Sequence, residues 1–362
     1  MAFQRDTEGG HAVIPSDAFR HTLRELFAPI ATHLGSTEVT GILINGSREI
    51  YVEQGGRLLR TSDSFASEAA LLAAVRNLAQ SVGREIGPHA PVLEARFPGG
   101  AQVQVVVPPA APSGPVLSIR QVSEVTATLD ALSESGALSP VASGLLRQAV
   151  FRKSNVLIVG PSGSGKTTVL AAMASVVDPS ERIVVVEKVS ELRLTLPHLV
   201  MLEATSRSPG SGAPLTLQDL LPAAMRLRPD RLFVGEVCGE EALDFVLAMS
   251  SGKRGSLSTL RAASPVDGLR RLEALALAAD PNADRCLLRR AVASAVDVVV
   301  EADRRSDGHF VVSRISGIRP DESVAGYRIR DLFVSDLAPG AATQHPASTT
   351  RPAADPQAGQ GP

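Results

Sequence analysis

Aromatic side chains are scarce in this sequence of 362 residues, which has no tryptophan, 2 tyrosines and 10 phenylalanines. Proteins that stack nucleic-acid bases or sugar rings rely on exposed aromatic rings, so this composition argues against either kind of ligand. The net charge of −2 adds no general attraction to nucleic acid or to an acidic membrane. We therefore expect no nucleic-acid partner.

Cysteine and long apolar runs are also nearly absent. Cys238 and Cys286 are the two cysteines of the sequence. Two isolated thiols suit a reducing compartment and cannot form a four-cysteine zinc site. No apolar run approaches the ~20 residues that a membrane-spanning helix requires, and the chain opens with a mixed polar and charged segment unlike a signal peptide. These features predict a soluble protein of the cytoplasm.

Helical and strand-like patterns divide the chain into two predicted folded parts. Short β-type runs accompany a helix that begins near Ser16 and an amphipathic helix that ends at Gly83, so residues 16–122 are predicted to form an α+β domain. A helical linker is predicted over residues 123–138. From residue 139 to residue 337 apolar strands alternate with helices, which predicts an α/β fold with a predominantly parallel sheet.

Composition gives the predictions for both ends of the chain and for the end of this sheet. Residues 1–15 are polar and predicted to be flexible, and residues 338–362 lack the apolar content that a core requires, which predicts disorder. The runs DVVVEADRR, HFVVSRISGI and GYRIRDLF are predicted to close the sheet with an antiparallel piece.

The segment VLIVGPSGSGKTTVLAA, from Val156 to Ala172, carries the pattern G-x-x-x-x-G-K-[ST] between a predicted strand and a predicted helix. Glycines allow backbone N–H groups to surround phosphate oxygens, and the helix N-terminus adds a partial positive charge. Lys166 is predicted to reach the β and γ phosphates of ATP, and the Thr167 hydroxyl is predicted to hold Mg²⁺. An ordinary Gly/Ser turn is the alternative, against which the flanking strand and helix argue. The predicted nucleotide-binding residues are Gly160, Ser162, Gly163, Ser164, Gly165, Lys166, Thr167 and Thr168.

Two glutamates follow apolar strands and are candidate partners of the loop. Glu236 comes after RLFVG, and Glu187 ends RIVVVE. Because parallel strands end at the same edge of a sheet, either carboxylate is able to lie beside the loop. We predict that Glu236 contributes to catalysis and to the Mg²⁺ site, and that Glu187 and Lys166 are further catalytic residues. The alternative for both glutamates is a solvated acid at a strand end.

Together these segments resemble the ATPases of type II and type IV secretion systems, most closely those of tight-adherence (Tad/Flp) pili. The resemblance covers about Gly41 to Phe333. It is carried by ILINGSREIYVEQGGRL, LEARFPGGAQVQVVVPP, GPVLSIR and LRPDRLFVGEVCGEEALDFVLAMSSGKRGSLSTLRAASP, besides the glycine loop. It implies a C-terminal RecA-like P-loop ATPase domain after a smaller α+β N-terminal domain.

The resemblance also implies a function. It suggests a homo-hexameric ring at the cytoplasmic face of the inner membrane, where ATP hydrolysis drives a membrane platform protein during pilus assembly or secretion. Glu236 matches the Walker B acid of the family, and Glu187 and Glu191 match acids of its Asp box. Arg96 and Arg120 match arginines that approach the phosphates from the N-terminal domain.

Five positions depart from the family pattern. Lys188 replaces an acid, Cys238 and Gln102 replace arginines, and Lys253 and Arg261 replace histidines. Fixed cations near a γ-phosphate favour triphosphate binding and resemble an arginine finger, but a cation that binds substrate and transition state equally does not speed the reaction. The alternative is that Lys253 and Arg261 point to solvent. For Cys238 a small buried filler is favoured over a reactive thiol.

Three functional hypotheses follow. The first is a motor ATPase that retains nucleotide binding, with hydrolysis that is slowed or differently gated. The second is a hydrolysis-impaired paralogue that joins or regulates such a ring. The third, an unrelated P-loop enzyme such as a small-molecule kinase, is disfavoured because no second acceptor-site motif is present. Charge and aromatic content do not support DNA translocation.

Overall fold

A computed structural model describes residues 25–36, 38–55, 57–97, 101–121, 127–204, 215–305, 308–321 and 326–336. The predictions for residues 1–15 and 338–362, the helix start near Ser16, and the join between residues 122 and 123 lie outside this part of the chain.

The first folded part is a six-stranded antiparallel sheet with the order β3-β2-β1-β6-β5-β4. Its strands are β1 (Val39–Asn45), β2 (Glu49–Gln54), β3 (Arg57–Arg60), β4 (Val92–Arg96), β5 (Gln102–Val106) and β6 (Val116–Arg120). Its helices are a 3₁₀ turn (Ala28–Ile30), α1 (Ala31–Leu34) and α2 (Glu68–Ser81).

Burial alternates along β2, β5 and β6, as in β6, where Leu117 and Ile119 are buried between exposed neighbours, whereas every residue of the edge strand β3 is exposed. One sheet face therefore packs on α2, whose Leu71 and Val75 are fully buried, while the other face is more exposed and carries both polar side chains and the exposed Val92 and Val116. The α2 helix begins where the Ser67 side chain accepts a hydrogen bond from the Ala70 N–H.

The second folded part is an eight-stranded sheet with the order β14-β13-β12-β7-β11-β10-β8-β9. Its strands are β7 (Val156–Gly160), β8 (Ile183–Glu187), β9 (Leu199–Glu203), β10 (Arg231–Val234), β11 (Leu257–Arg261), β12 (Val298–Arg304), β13 (Phe310–Asp321) and β14 (Gly326–Val334). Its helices, with α3 in the predicted linker, are α3 (Leu129–Glu134), α4 (Pro140–Phe151), α5 (Lys166–Ala174), α6 (Leu217–Arg226), α7 (Glu241–Ser250), α8 (Pro265–Ala279) and α9 (Arg285–Ala295).

Strands β12, β7, β11, β10, β8 and β9 run parallel. Every residue of β7, β8 and β10 is buried, because helices cover both faces of the sheet and form a hydrophobic core on each side. The carboxyl ends of these strands therefore meet at one edge, where the candidate site is found.

One prediction about the end of the sheet is corrected. Strand β12 was predicted to be antiparallel, but it pairs parallel with β7 and antiparallel only with β13. The cause is helix α9, which the sequence pattern did not predict and which carries the chain back to the start of the sheet. Its signals are the Asp284 cap, which accepts from the Cys286 and Leu287 N–H groups, and the buried Leu288 and Val292 four residues apart.

Candidate nucleotide-binding site

The glycine loop joins the carboxyl end of β7 to the start of α5. Gly163 and Gly165 have φ angles of +72° and +83°, a left-handed region that favours glycine. Gly165 is also the residue before α5, and a Cβ atom there would lie 2.6 Å from the Phe310 ring. A Cβ atom at Gly160 would lie 2.1 Å from the Ala302 carbonyl oxygen. Three glycines of the predicted motif are therefore required by backbone shape and by close contact.

Ser164 fits a polar ligand in this loop. Its side chain is fully buried, and its hydroxyl oxygen has no hydrogen-bond partner among the described residues. Buried polar atoms are normally paired, so an unpaired hydroxyl inside a glycine loop is consistent with an anionic ligand that supplies the partner.

Lys166 is buried at the first position of α5, with 8% of its surface exposed. Its Nζ donates to the Pro161 carbonyl 2.6 Å away, so its side chain folds back across the loop. Burial lowers the pKa of Lys166, and the nearby charge of Glu236 opposes that shift. A phosphate anion at this position would replace the carbonyl as partner and stabilise the charged amine.

Glu236 lies beside the loop, as the strand-end argument predicted. The Val237 N–H donates to the Thr259 carbonyl at 2.9 Å, and the Thr259 hydroxyl donates to the Gly235 carbonyl at 2.5 Å. These bonds fix Glu236 next to β11, where Arg261 donates through Nε to its Oε1 at 2.7 Å. Glu236, Arg261, Lys166 and the loop line one cavity of about 450 Å³.

Glu187 has a different environment from Glu236, although it lines the same cavity. It is 2% exposed, and its Oε1 accepts from the Glu191 and Leu192 N–H groups at 3.0 and 3.1 Å. Desolvation by burial raises its pKa to about 7, against the opposing effect of those hydrogen bonds. These hydrogen bonds hold the turn that follows β8 in place. Glu187 therefore has a structural role besides the catalytic role predicted for it.

The two predicted arginines of the first sheet go to different places. Arg120 lines the cavity, and its Nη1 lies 3.7 Å from Glu191 Oε1. Arg96 donates to the Ser190 carbonyl at 3.1 Å and to Glu203 at 3.0 Å, and it is not among the residues that line the cavity. The structure thus brings Arg120 to the cavity beside the loop, whereas Arg96 contacts the turn after β8 and the end of β9.

Gln102 lies between these arginines, because β5 pairs it with Arg96 on one side and with Arg120 on the other. Its Nε2 is enclosed and has no hydrogen-bond partner among the described residues. Gln102 therefore places a neutral side chain at the cavity wall, where the family pattern implies a cation.

Two further departures from the family pattern, Lys188 and Cys238, lie at the cavity. Lys188 lines the cavity. Cys238 is exposed at the cavity wall, so the prediction of a buried filler is wrong. Burial of its sulfur and the Glu241 carboxylate still raise the pKa of the thiol, which favours its neutral form.

Lys253 is far from the loop, so its predicted place near the γ-phosphate is wrong. Its Nζ donates to the Pro229 carbonyl at 3.3 Å. It precedes β11, whereas Arg261 is the last residue of that strand and pairs with Gly160. Five strand residues at ~3.3 Å each separate the two sheet edges by more than ~13 Å.

Some cavity residues were missed by sequence reasoning. Arg271 of α8 lines the first cavity. A second cavity of about 580 Å³, which shares loop residues with the first, is lined in part by Phe310 and Arg304. Arg304 donates to Glu53 of the first sheet at 3.0 Å. No motif marks these residues, because only the strand order of the folded sheet brings them beside the loop.

The donor set allows a nucleotide-bound Mg²⁺. Among the described residues no cluster of three or more His, Cys, Asp or Glu side chains forms a metal site. A Mg²⁺ that arrives with phosphates keeps waters and needs only one or two protein oxygens. Thr167 and Glu236, which line the same cavity, supply such oxygens.

A glycine loop between a buried parallel strand and a helix, with a lysine and a threonine facing a strand-end glutamate, defines a P-loop nucleotide-binding protein with a RecA-like α/β domain. The chain belongs to the family described as type II/IV secretion system protein, whose model matches residues 24–305.

The relatives agree with that assignment. A putative conjugal transfer protein of Mycobacterium tuberculosis is 34% identical over 295 residues, which cover 80% of this chain and 83% of the relative. The type IV secretion system protein PtlH of Bordetella pertussis is 34% identical over 299 residues, covering 75% and 88% of the two chains. A crystal structure of the pilus retraction motor PilT with bound ADP shares the fold, with a TM-score of 0.58, 17% identity and 84% of each chain covered.

Proposed function

We propose that this chain is an ATP-binding and ATP-hydrolysing motor subunit that powers pilus assembly or protein secretion at the inner membrane. The observation that carries the proposal is the shared cavity in which the glycine loop, Lys166 and Thr167 face Glu236, with Arg120 contributed by the first sheet. The family assignment supports the secretion context.

The residues divide the task of binding and hydrolysis. Backbone N–H groups of the loop and the start of α5 would hold the phosphates, and Lys166 would neutralise the β and γ oxygens. Mg²⁺, held by the Thr167 hydroxyl and Glu236, would supply further positive charge to the phosphate oxygens. Glu236 would also orient the attacking water, because it faces the loop and one of its carboxylate oxygens, Oε2, has no partner among the described residues.

Glu187 is proposed to act mainly on the shape of the site. It fixes the turn that carries Lys188 and Glu191, both of which line the cavity. Desolvation raises the free energy of the ionised Glu187 side chain and so favours its protonated form. A proton on Glu187 near neutral pH would leave the cavity more positive and would favour a triphosphate.

Closure of the two sheets around the ligand is the proposed source of movement. Ion pairs cross between the two parts of the chain at Arg120–Glu191, Arg96–Glu203 and Arg304–Glu53, at 3.7, 3.0 and 3.0 Å. These contacts are half-exposed and individually weak, so a bound triphosphate is able to reorganise them. Arg120, which already reaches the cavity, is the residue we expect to follow the phosphate.

The assembly is proposed to be a homo-hexamer that acts on an inner-membrane platform protein, in a Tad/Flp-type pilus or a related secretion system. We propose that the chain works in the cytoplasm, associated peripherally with the membrane through that partner. None of the described helices has the length and apolar character to cross a bilayer. Nucleic acid is not a proposed partner, because the chain has a net charge of −2 and few aromatics.

A hydrolysis-impaired paralogue is the second candidate, and two observations favour it. Arg261 occupies one oxygen of Glu236, and Lys188 adds a cation where the family pattern implies an acid. Such a subunit would bind ATP and stabilise or regulate a ring of active subunits.

Steady-state ATP turnover of the purified assembly separates the candidates, measured alone and after mixing with an active motor subunit of the same system. We expect slow turnover that Glu236→Gln abolishes while ATP binding persists. Turnover at the level of an ordinary family motor would contradict slowed hydrolysis. No turnover by this chain alone, with turnover of the mixture that differs from that of the active subunit by itself, would identify the paralogue. Failure of ATP to bind would contradict both candidates.

A further inference from the structure

The register of the second sheet places residue 261 beside the start of the glycine loop. Arg261 is the last residue of β11 and pairs directly with Gly160, the first residue of the glycine loop. Because side chains alternate along a strand, Arg261 lies on the same side as Thr259. Thr259 donates to the Gly235 carbonyl at 2.5 Å, so that side faces the segment that contains Glu236.

The guanidinium of Arg261 engages the carboxylate of Glu236 directly. Its Nε donates to Oε1 at 2.7 Å, a distance typical of a charge-assisted hydrogen bond. The two side chains are 56% and 33% exposed, so the pair is screened by solvent and is easily exchanged for another partner.

Other cations of the same cavity do not share this contact. Arg271 and Lys188 line the cavity and have no hydrogen-bond or ion-pair partner among the described residues. The bond to Arg261 therefore reflects the specific position of that residue and not a general excess of positive charge.

The side chain at position 261 decides whether this contact depends on pH. The charge of an arginine does not vary between pH 6 and pH 8, so a contact between an arginine and a carboxylate does not switch within that range. A histidine at the same position would be neutral above its pKa of about 6.5 and would then release the carboxylate.

We propose that Arg261 is a positioning residue that holds Glu236 through Oε1, away from the attacking water, and so keeps ATP turnover low. This inference rests on the proposed ATPase function. It attributes slow hydrolysis to the contact between Arg261 and Glu236, and not to a loss of nucleotide binding.

The experiment compares Arg261→Gln, Arg261→Lys and Arg261→His with the full-length wild-type chain. Arg261→Gln is expected to raise kcat by up to about five-fold, the factor that corresponds to the ~1 kcal/mol upper range for an exposed ion pair. Arg261→Lys keeps the charge and is expected to stay close to wild type. Arg270→Gln is the matched control, since it removes an equal charge from an exposed position of α8 that lines neither cavity, and it is expected to give no rise in kcat.

The histidine variant provides a test within one folded protein. Its kcat relative to wild type is expected to be near one at pH 6, where imidazolium retains Glu236, and to rise up to about five-fold at pH 8. A ratio that is constant across this range would overturn the proposal, as would a fall in kcat in Arg261→Gln, which would show that the cation stabilises the transition state.

Binding of a fluorescent ATP analogue to the same proteins distinguishes failure of the proposed role of Arg261 from failure of the proposed ATPase function. If the wild-type protein binds the analogue but no Arg261 variant has a higher kcat, the role of Arg261 is overturned and the proposed function stands. Wild type that fails to bind the analogue overturns both.

Discussion

Single side chains in this protein have roles that depend on whether they are buried or exposed. Glu187 and Glu236 both follow apolar strands in the sequence, yet one is 2% exposed and bonded to backbone N–H groups, and the other faces a cavity and an arginine. Gly165 is fixed by both a φ angle of +83° and the Phe310 ring. Residue type alone does not separate these cases, since burial comes from the packing of distant segments.

Gly165→Ala is expected to lose nucleotide binding and to unfold more easily. An alanine pays ~1–2 kcal/mol for the left-handed backbone, and its Cβ atom meets the Phe310 ring at 2.6 Å, which adds ~1–3 kcal/mol of overpacking. Urea unfolding and binding of a fluorescent ATP analogue measure both effects. Gly83→Ala is the control, because Gly83 has a φ of +67° with nothing within 4 Å of a Cβ atom. Equal destabilisation by the two variants would contradict the role of the Phe310 contact.

The stability of the fold is expected to change with pH through Glu187. Its pKa in the folded protein is raised to about 7 from 4.5, so between these values the folded state holds a proton that the unfolded state releases. Stability therefore falls as pH rises through this window, by at most ~3 kcal/mol. Glu187→Gln removes this fall and is expected to be more stable than wild type at pH 8. Chemical unfolding at pH 5 and pH 8 measures the difference, and the exposed Glu240→Gln serves as control. An unchanged pH dependence in Glu187→Gln would contradict the assignment.

At the scale of elements, the strands and helices around the glycine loop were predictable, and the end of the sheet was not. Strands β7 and β8 are apolar runs rich in Val and Ile, and the loop after β7 is rich in glycine, so the strands and the loop carry strong local signals. Helix α9 was missed because charged residues such as Arg285 and Arg290 interrupt its apolar pattern. That omission made β12 look antiparallel, since a parallel strand needs a crossover connection.

Loss of the α9 cap is expected to destabilise the second sheet. Asp284 accepts from the Cys286 and Leu287 N–H groups at 2.7 and 3.0 Å, so Asp284→Ala should cost ~1 kcal/mol. Thermal unfolding measures the loss. Asp284→Asn, which keeps a capping oxygen, is expected to recover most of the stability. An alanine variant as stable as wild type would show that the cap contributes nothing.

At the scale of the whole molecule, function depends on contacts between the two sheets, and sequence could predict these only by resemblance. The resemblance pointed to Arg96 and Arg120, which are equivalent as strand-end arginines in the sequence. The folded sheets place Arg120 at the cavity and Arg96 on Glu203, because the turn after β8 lies between them. Arg304 of β12 and Phe310 of β13 reach the second cavity and carried no local signal.

The two arginines are therefore expected to differ in their effect on ATP binding. Arg120→Ala should weaken binding by about ten-fold or more, because a charge-assisted contact to phosphate contributes ~1.5–3 kcal/mol. Arg96→Ala should produce a smaller loss, since it breaks only the contacts to Ser190 and Glu203. Titration with Mg²⁺ and a non-hydrolysable ATP analogue measures both, and a larger loss in Arg96→Ala would contradict this arrangement of the sheets.

Equilibrium binding of Mg²⁺-ATP to Lys166→Ala tests most directly whether the glycine loop holds the nucleotide. Lys153→Ala is the matched control, since Lys153 pairs with Glu181 at 2.9 Å and does not line either cavity at the loop. We predict that Lys166→Ala lowers affinity by about ten- to hundred-fold and that Lys153→Ala binds like wild type. Wild-type affinity in Lys166→Ala would contradict the assignment of the loop as the nucleotide site.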